Sequence, residues 1–292
     1  MNAMWRWAAA TLAGTLMPMV ALGADEYHAA RGVVLEVDVL HRELTISCEA
    51  IPGYMDAMEM PFKVKNAKTL NALKPGEGIQ FRIDQRGSRL YAEEIDDGAT
   101  ATYESEPMQA GQLSVLNAML KPDTKTLTTG DHVPDFALLD QSGETVHLSQ
   151  FAGKVVVLTF GYSRCPNPNY CFRLSNNLAR VEKRFHNRMG RDLVLFTIMI
   201  DPDHDQGATL SQYAEVWKAD ARSWHFLTGP LSDIQQISGM FGVNFWRVDG
   251  LLTHTLHTVI IDSKGALAAN VEGNQFSPQE LEDLVATVMA RQ

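Results

Sequence analysis

Between Arg31 and Ile95 apolar residues fall at every second position in short bursts. Val33, Leu35, Val37 and Val39 form one burst, and Leu44, Ile46 and Cys48 a second. Phe62 and Val64, then Ile79, Phe81 and Ile83, then Leu90 and Ala92 complete the series. A period of two is the signature of a strand with one buried face. Turn formers separate the bursts at His41–Glu43, Pro52–Gly53, Pro75–Gly78 and Arg86–Ser88. Five short strands in so brief a segment predict a small all-β, OB-like five-stranded barrel, a closure that leaves no strand edge exposed.

From Asp96 to Gly130 the text turns polar. A short helix near Ala110–Leu120 fits the pattern, and the rest reads as linker. Beyond Val133 the pattern changes again. Val155–Phe160 is apolar throughout, as a central strand covered on both faces is. Leu174, Leu178, Val181 and Phe185 share one helical face, and "DLVLFTIMIDP" reads as the next buried strand. The segments 208–217 and 231–243 read as helices, and "HTLHTVIIDSKGALAANVEG" as a terminal hairpin. The last helix starts at a capping box, Ser277 with Glu280 three residues on. Strands alternating with helices predict an α/β layer domain. The expected division is 1–24 leader, 25–96 barrel, 97–129 linker and 130–292 α/β domain.

The leader is inferred from Arg6 followed by a long apolar run that ends in the small residues Ala21 and Gly23. That is the pattern of a secretory signal, and it predicts an exported, periplasmic protein. The rival reading is an uncleaved anchor at the short edge of what spans a bilayer, which gives the one expected route to membrane association. A net charge of −10 and the lack of any basic patch argue against a nucleic-acid partner.

The chain has three cysteines, so at least one cannot pair within it. Cys165 and Cys171 are separated by five residues, one just after the buried strand and the other just before a helix. Reactive groups of α/β sheets collect there, and N–H groups at a helix start favour thiolate. The spacing alone leaves three readings: a surface disulfide, a redox dithiol, or two ligands of a soft metal. His254 and His257 stand before the buried run Val259–Ile261 and can supply a third donor. Two thiolates and an imidazole suit Cu(I), whereas zinc asks for a fourth ligand. Peroxidase chemistry lacks a dedicated base or arginine constellation.

These residues resemble the SCO/SenC family, exported or membrane-bound thioredoxin-like proteins that help build the copper centre of cytochrome c oxidase. The resemblance is carried by "VPDFALLDQSGETVHLSQFAGKVVVLTFGYSRCP", "MIDPDHDQGATLSQYA", "GVNF" and "HTVIIDSKG". It implies a thioredoxin-like fold and copper ligands at Cys165, Cys171 and His257, with Asp201 as a supporting residue. His254 is an extra candidate that the resemblance does not select. It also implies a receiving partner, an oxidase subunit or another periplasmic copper protein. The same two cysteines would be the reactive pair if the chain reduces its client's thiols instead. The family's common spacing between the cysteines is three residues, so the five found here are a departure.

A second sulfur cluster, "TISCEAIPGYMDAMEMPF", precedes the linker. Met58 and Met60 share a face on an extended strand, and Met55 and Cys48 lie close by in sequence. Thioethers select Cu(I) over hard cations, and methionines also plug small cores. The segment 26–95 resembles the periplasmic copper-binding barrels of the CusF type. That resemblance implies Cu(I) ligands at Met58 and Met60, with Met55 where that family has a capping tryptophan and Cys48 where it has a histidine.

Overall fold

The computed structural model describes residues 27–96, 125–248 and 251–291. The leader and the helix expected near 110–120 lie outside the described residues.

Strands β1 (His28–Asp38), β2 (Glu43–Cys48), β3 (Met58–Lys63), β4 (Gly78–Arg86) and β5 (Arg89–Asp96) close into a barrel in the order β1-β2-β3-β5-β4. Gly32 lies where β1 crosses β2: a Cβ there would sit 2.3 Å from the Ser47 carbonyl oxygen, so only glycine fits. Leu44, Ile46, Phe62, Ile79, Phe81 and Ile83 fill the interior. A short helix, α1 (Ala67–Ala72), joins β3 to β4 and is capped by the Asn66 side chain. The alternation does not reveal this helix, because six residues give too short a period to read.

The second domain holds a five-stranded sheet in the order β10-β9-β8-β13-β14. These are β8 (Val155–Gly161), β9 (Leu193–Met199), β10 (Trp224–Leu227), β13 (His257–Ile261) and β14 (Leu267–Glu272). β8, β9 and β10 run parallel, and β13 is antiparallel to both β8 and β14. All seven residues of β8 and all seven of β9 are buried, as two covered faces require. Helices α2 (Arg173–Arg184), α3 (Gly207–Trp217), α4 (Leu231–Met240) and α5 (Pro278–Ala290) supply the cover. Two small hairpins complete the domain, β6 (Ala137–Leu139) with β7 (Thr145–His147), and β11 (Phe245–Val248) with β12 (Leu251–His254). The α5 capping box forms as expected, with Ser277 Oγ accepting from the Glu280 N–H (3.2 Å) and Glu280 accepting from the Ser277 N–H (2.6 Å). Among the described residues no helix is long and apolar enough to cross a membrane.

The two domains are docked. Val33 and Leu35 on β1 point away from the barrel interior and join one core cluster with Leu281, Leu284, Val285 and Val288 of α5. Burial of each such side chain contributes about 1.5–3 kcal/mol. Ser47 Oγ donates to Asp283 Oδ2 (2.9 Å), and Arg184 pairs with the same Asp283 (2.8 Å) and with Glu282 (3.2 Å). The Arg291 guanidinium donates to the Leu35 carbonyl (3.2 Å).

Candidate metal centre

β8 ends at Gly161, and the chain leaves the sheet at the carboxyl end of its parallel strands, where α/β folds hold their reactive groups. Cys165 follows in a loop, half-buried. Cys171 sits in a single π-helical turn, Pro168–Phe172, that runs into α2. Its side chain is 3% exposed, so one thiol is reachable and its partner is not. The π turn takes up part of the five-residue spacing, and Asn274, itself fully buried, braces it by donating to the Asn169 carbonyl.

The thiols differ in acidity. Cys165 is drawn down to about 6, first by the hydrogen bond from the Cys171 thiol and then by backbone N–H groups, against the effect of burial. Cys171 is pushed well above the usual thiol range, because it donates to Cys165 and because it is buried. The reachable Cys165 therefore gives up its own proton first, while the buried Cys171 keeps the proton that it donates to Cys165.

His254 closes the group. Its Nε2 lies 3.8 Å from Cys171 Sγ, and its Nδ1 lies 2.9 Å from the Thr255 carbonyl oxygen. A carbonyl only accepts, so Nδ1 carries the hydrogen and Nε2 turns a lone pair to the sulfur. Burial lowers the imidazole to about 4, keeping it neutral. A metal bonded at about 2.3 Å to sulfur and 2.0 Å to nitrogen, in a trigonal arrangement, holds the two donors about 3.7 Å apart. The observed separation fits that spacing. Among the described residues, no three His, Cys, Asp or Glu side chains stand close enough together to hold a metal ion.

His257, the histidine expected from the resemblance, turns elsewhere. Its Nδ1 lies 2.9 Å from Asn270 Oδ1, and Asn270 is oriented by donating its Nδ2–H to the Phe241 carbonyl (2.9 Å). The far edge of the His257 ring faces Gly242, where an added Cβ would stand 3.9 Å from Nε2. The two histidines sit on different strands: His254 ends β12, His257 begins β13, and Thr255–Leu256 between them belong to neither.

Asp201 connects the two segments that carry the donors. Its carboxylate, 1% exposed, accepts from Arg164 (2.8 Å), the neighbour of Cys165, and from Arg247 (2.6 Å) on the hairpin that carries His254. His204 stands 3.1 Å away. Burial pushes the acid up, and Arg164, His204 and Arg247 together outweigh that and leave it below the carboxylate range. Tyr162 adds a second tie by donating from its hydroxyl to the Leu252 carbonyl (2.8 Å). Local spacing gives no signal for Arg247, which reaches Asp201 only because the β11–β12 hairpin carries it there.

In the barrel, Cys48 lies directly opposite Met58 and Ile46 opposite Met60 in the β2–β3 register, so the three sulfurs share one face. Met55 joins through a bridge with Ile51 and packs on the same core. Met58 is 41% exposed and Cys48 only 1%. Burial, with the Glu280 carboxylate second, pushes the Cys48 thiol up to about 12. Tyr54 stacks on His28, with ring centroids 3.6 Å apart.

Residues 124–290 match the SCO1/SenC family model, and residues 27–97 match that of the copper-binding periplasmic protein CusF. The SCO2-like protein of Rickettsia felis is 28% identical over 144 residues, 45% of this chain and 64% of that protein. The mitochondrial SCO2 homologue of Bos taurus is 26% identical over 164 residues, 53% of this chain and 59% of its own. The chain thus spans less than two thirds of these relatives. A SCO1/SenC family lipoprotein from Bacillus anthracis superposes with a TM-score of 0.50 at 24% identity, covering 57% of this chain and 98% of that one, which establishes the fold.

Proposed function

The chain belongs to the SCO1/SenC family, and from that premise we propose that it is an exported copper chaperone that carries Cu(I) toward the copper centre of cytochrome c oxidase. Cys165, Cys171 and His254 are the ligands. The observation that carries the reading is the His254 imidazole, locked in one tautomer with its free nitrogen 3.8 Å from Cys171 Sγ. Soft sulfur and neutral imidazole are the donor set that Cu(I) prefers. Cys165 enters as thiolate at neutral pH, and Cys171 loses its proton as the metal–sulfur bond forms. Asp201 holds Cys165 and His254 in register from outside the ligand set, as the partners of metal ligands commonly do. The periplasm is the proposed compartment, and an oxidase subunit or another copper protein there the proposed receiver.

A specific observation favours a second reading. A reachable thiol near 6 paired with a buried thiol of high affinity for its proton is the arrangement of an attacking and a resolving cysteine. In that reading the dithiol reduces the cysteines of the copper-receiving client and is itself oxidised to the disulfide.

The test is Cu(I) stoichiometry and competition affinity of the reduced protein, beside Cys165→Ser/Cys171→Ser. Loss of one tight equivalent in the variant supports the chaperone. Equal binding by both leaves the dithiol as a reductant.

A further inference from the structure

The hairpin that carries His254 belongs to no larger sheet. Among the described residues, β11 and β12 pair only with each other and stand apart from the five-stranded sheet that the cysteine loop leaves. A lone two-stranded hairpin is marginally stable in water, so its ties to the rest of the domain decide where His254 stands. Leu252 packs its side chain into the core. Arg247 reaches Asp201 at the rim, where the guanidinium is about half-exposed. A third tie is buried, and Tyr162 makes it.

Tyr162 is the first residue past β8. Its hydroxyl donates to the Leu252 carbonyl (2.8 Å), two residues before His254. Its ring stands edge-on to the His254 imidazole, with centroids 6.0 Å apart and planes at 75°. Its own carbonyl accepts from the Cys165 N–H (3.3 Å), in the turn that carries that cysteine. One residue thus meets the cysteine loop through its backbone, the imidazole through its ring and the hairpin through its hydroxyl. Burial, and then the charges of Cys165 and Cys171, push the phenol above its usual range, so it keeps the proton that it donates. Both partners of the Leu252 bond are buried, and a buried carbonyl left without its donor carries its full desolvation cost.

We infer that Tyr162 is a positioning residue: by holding Leu252, its hydroxyl sets His254 against Cys171 and so makes His254, rather than His257, the nitrogen donor. The choice of donor rests on the proposed Cu(I) reading, whereas the tether of the hairpin stands without it. His257, on β13 within the main sheet and oriented by Asn270, is placed by other contacts.

Tyr162→Phe tests the inference, because it keeps the ring beside His254 and removes only the hydroxyl. In the metal-free, reduced variant, β12 amides are expected to exchange with solvent about 2- to 10-fold faster than in the wild type, while β8 and β9 amides keep their protection. With Cu(I) bound, X-ray absorption is expected to show a weakened copper–nitrogen shell, and competition titration an affinity about tenfold lower. Unchanged β12 exchange overturns the tether. A lower melting temperature with the nitrogen shell and the affinity intact overturns the positioning role and leaves Tyr162 as packing. A wild type without any copper–nitrogen shell overturns the choice of donor together with the copper reading, and that result is independent of the exchange contrast. Proton NMR of the metal-free wild type checks the bond itself without any variant. A Tyr162 hydroxyl proton in slow exchange with water supports the tether, and one in fast exchange overturns it.

Discussion

Ser47 of the barrel and Asp283 of α5 are joined by a 2.9 Å hydrogen bond across 236 residues of chain. Beside it, Leu35 is fully buried among α5 side chains although it lies on the outer face of the barrel. Truncation to Leu35→Ala removes packing from the interface while the barrel interior keeps its own residues. The expected cost is about 2–4 kcal/mol, expressed as uncoupling of the two domains. Urea unfolding monitored by two probes checks this: wild type gives coincident transitions, and the variant separates them.

Cys165 is depressed to about 6 and Cys171 is raised, so the two thiols differ in reactivity at neutral pH. Alkylation of the metal-free, reduced protein modifies Cys165 first, with a rate midpoint near pH 6. A lowered acid adds stability that is complete above the ordinary thiol value of about 8.5 and is lost as pH falls through the folded value. Thermal melts of wild type and Cys165→Ser are therefore expected to converge below pH 6 and to separate above it. Mass-resolved alkylation across pH 5–9 checks the order of modification.

Asp201 receives both Arg164 and Arg247. Asp201→Asn keeps the shape but weakens both ties, freeing the Cys165 loop from the His254 hairpin. Cu(I) affinity is expected to fall by about 10- to 100-fold, the range for partners of metal ligands, with the fold retained. Competition titration beside circular dichroism separates the two effects.

Much of this architecture was legible in the chain. The alternating bursts gave the barrel strands, the apolar runs gave β8 and β9, and the Ser277–Glu280 pair gave the start of α5. The domain contact had a signal that period-two reading passes over. Val33, Val34 and Leu35 are three consecutive apolar residues, and β1 is buried on both faces there because the barrel takes one and α5 the other. The choice between His254 and His257 was not legible. They are three residues apart, and which one meets Cys171 depends on the break between β12 and β13 and on Asn270 capturing His257 from β14. Neither is a property of local spacing.

In the proposed Cu(I) site, His254 and not His257 joins Cys165 and Cys171. Cu(I) affinity and X-ray absorption of His254→Ala and His257→Ala, measured side by side on the reduced protein, test it most directly. His254→Ala is expected to lose the copper–nitrogen shell and at least about tenfold in affinity, since removing even a partner of a metal ligand costs about 10- to 100-fold. His257→Ala keeps the nitrogen shell and near-native affinity. The reverse pattern, with the nitrogen shell lost in His257→Ala and retained in His254→Ala, contradicts it.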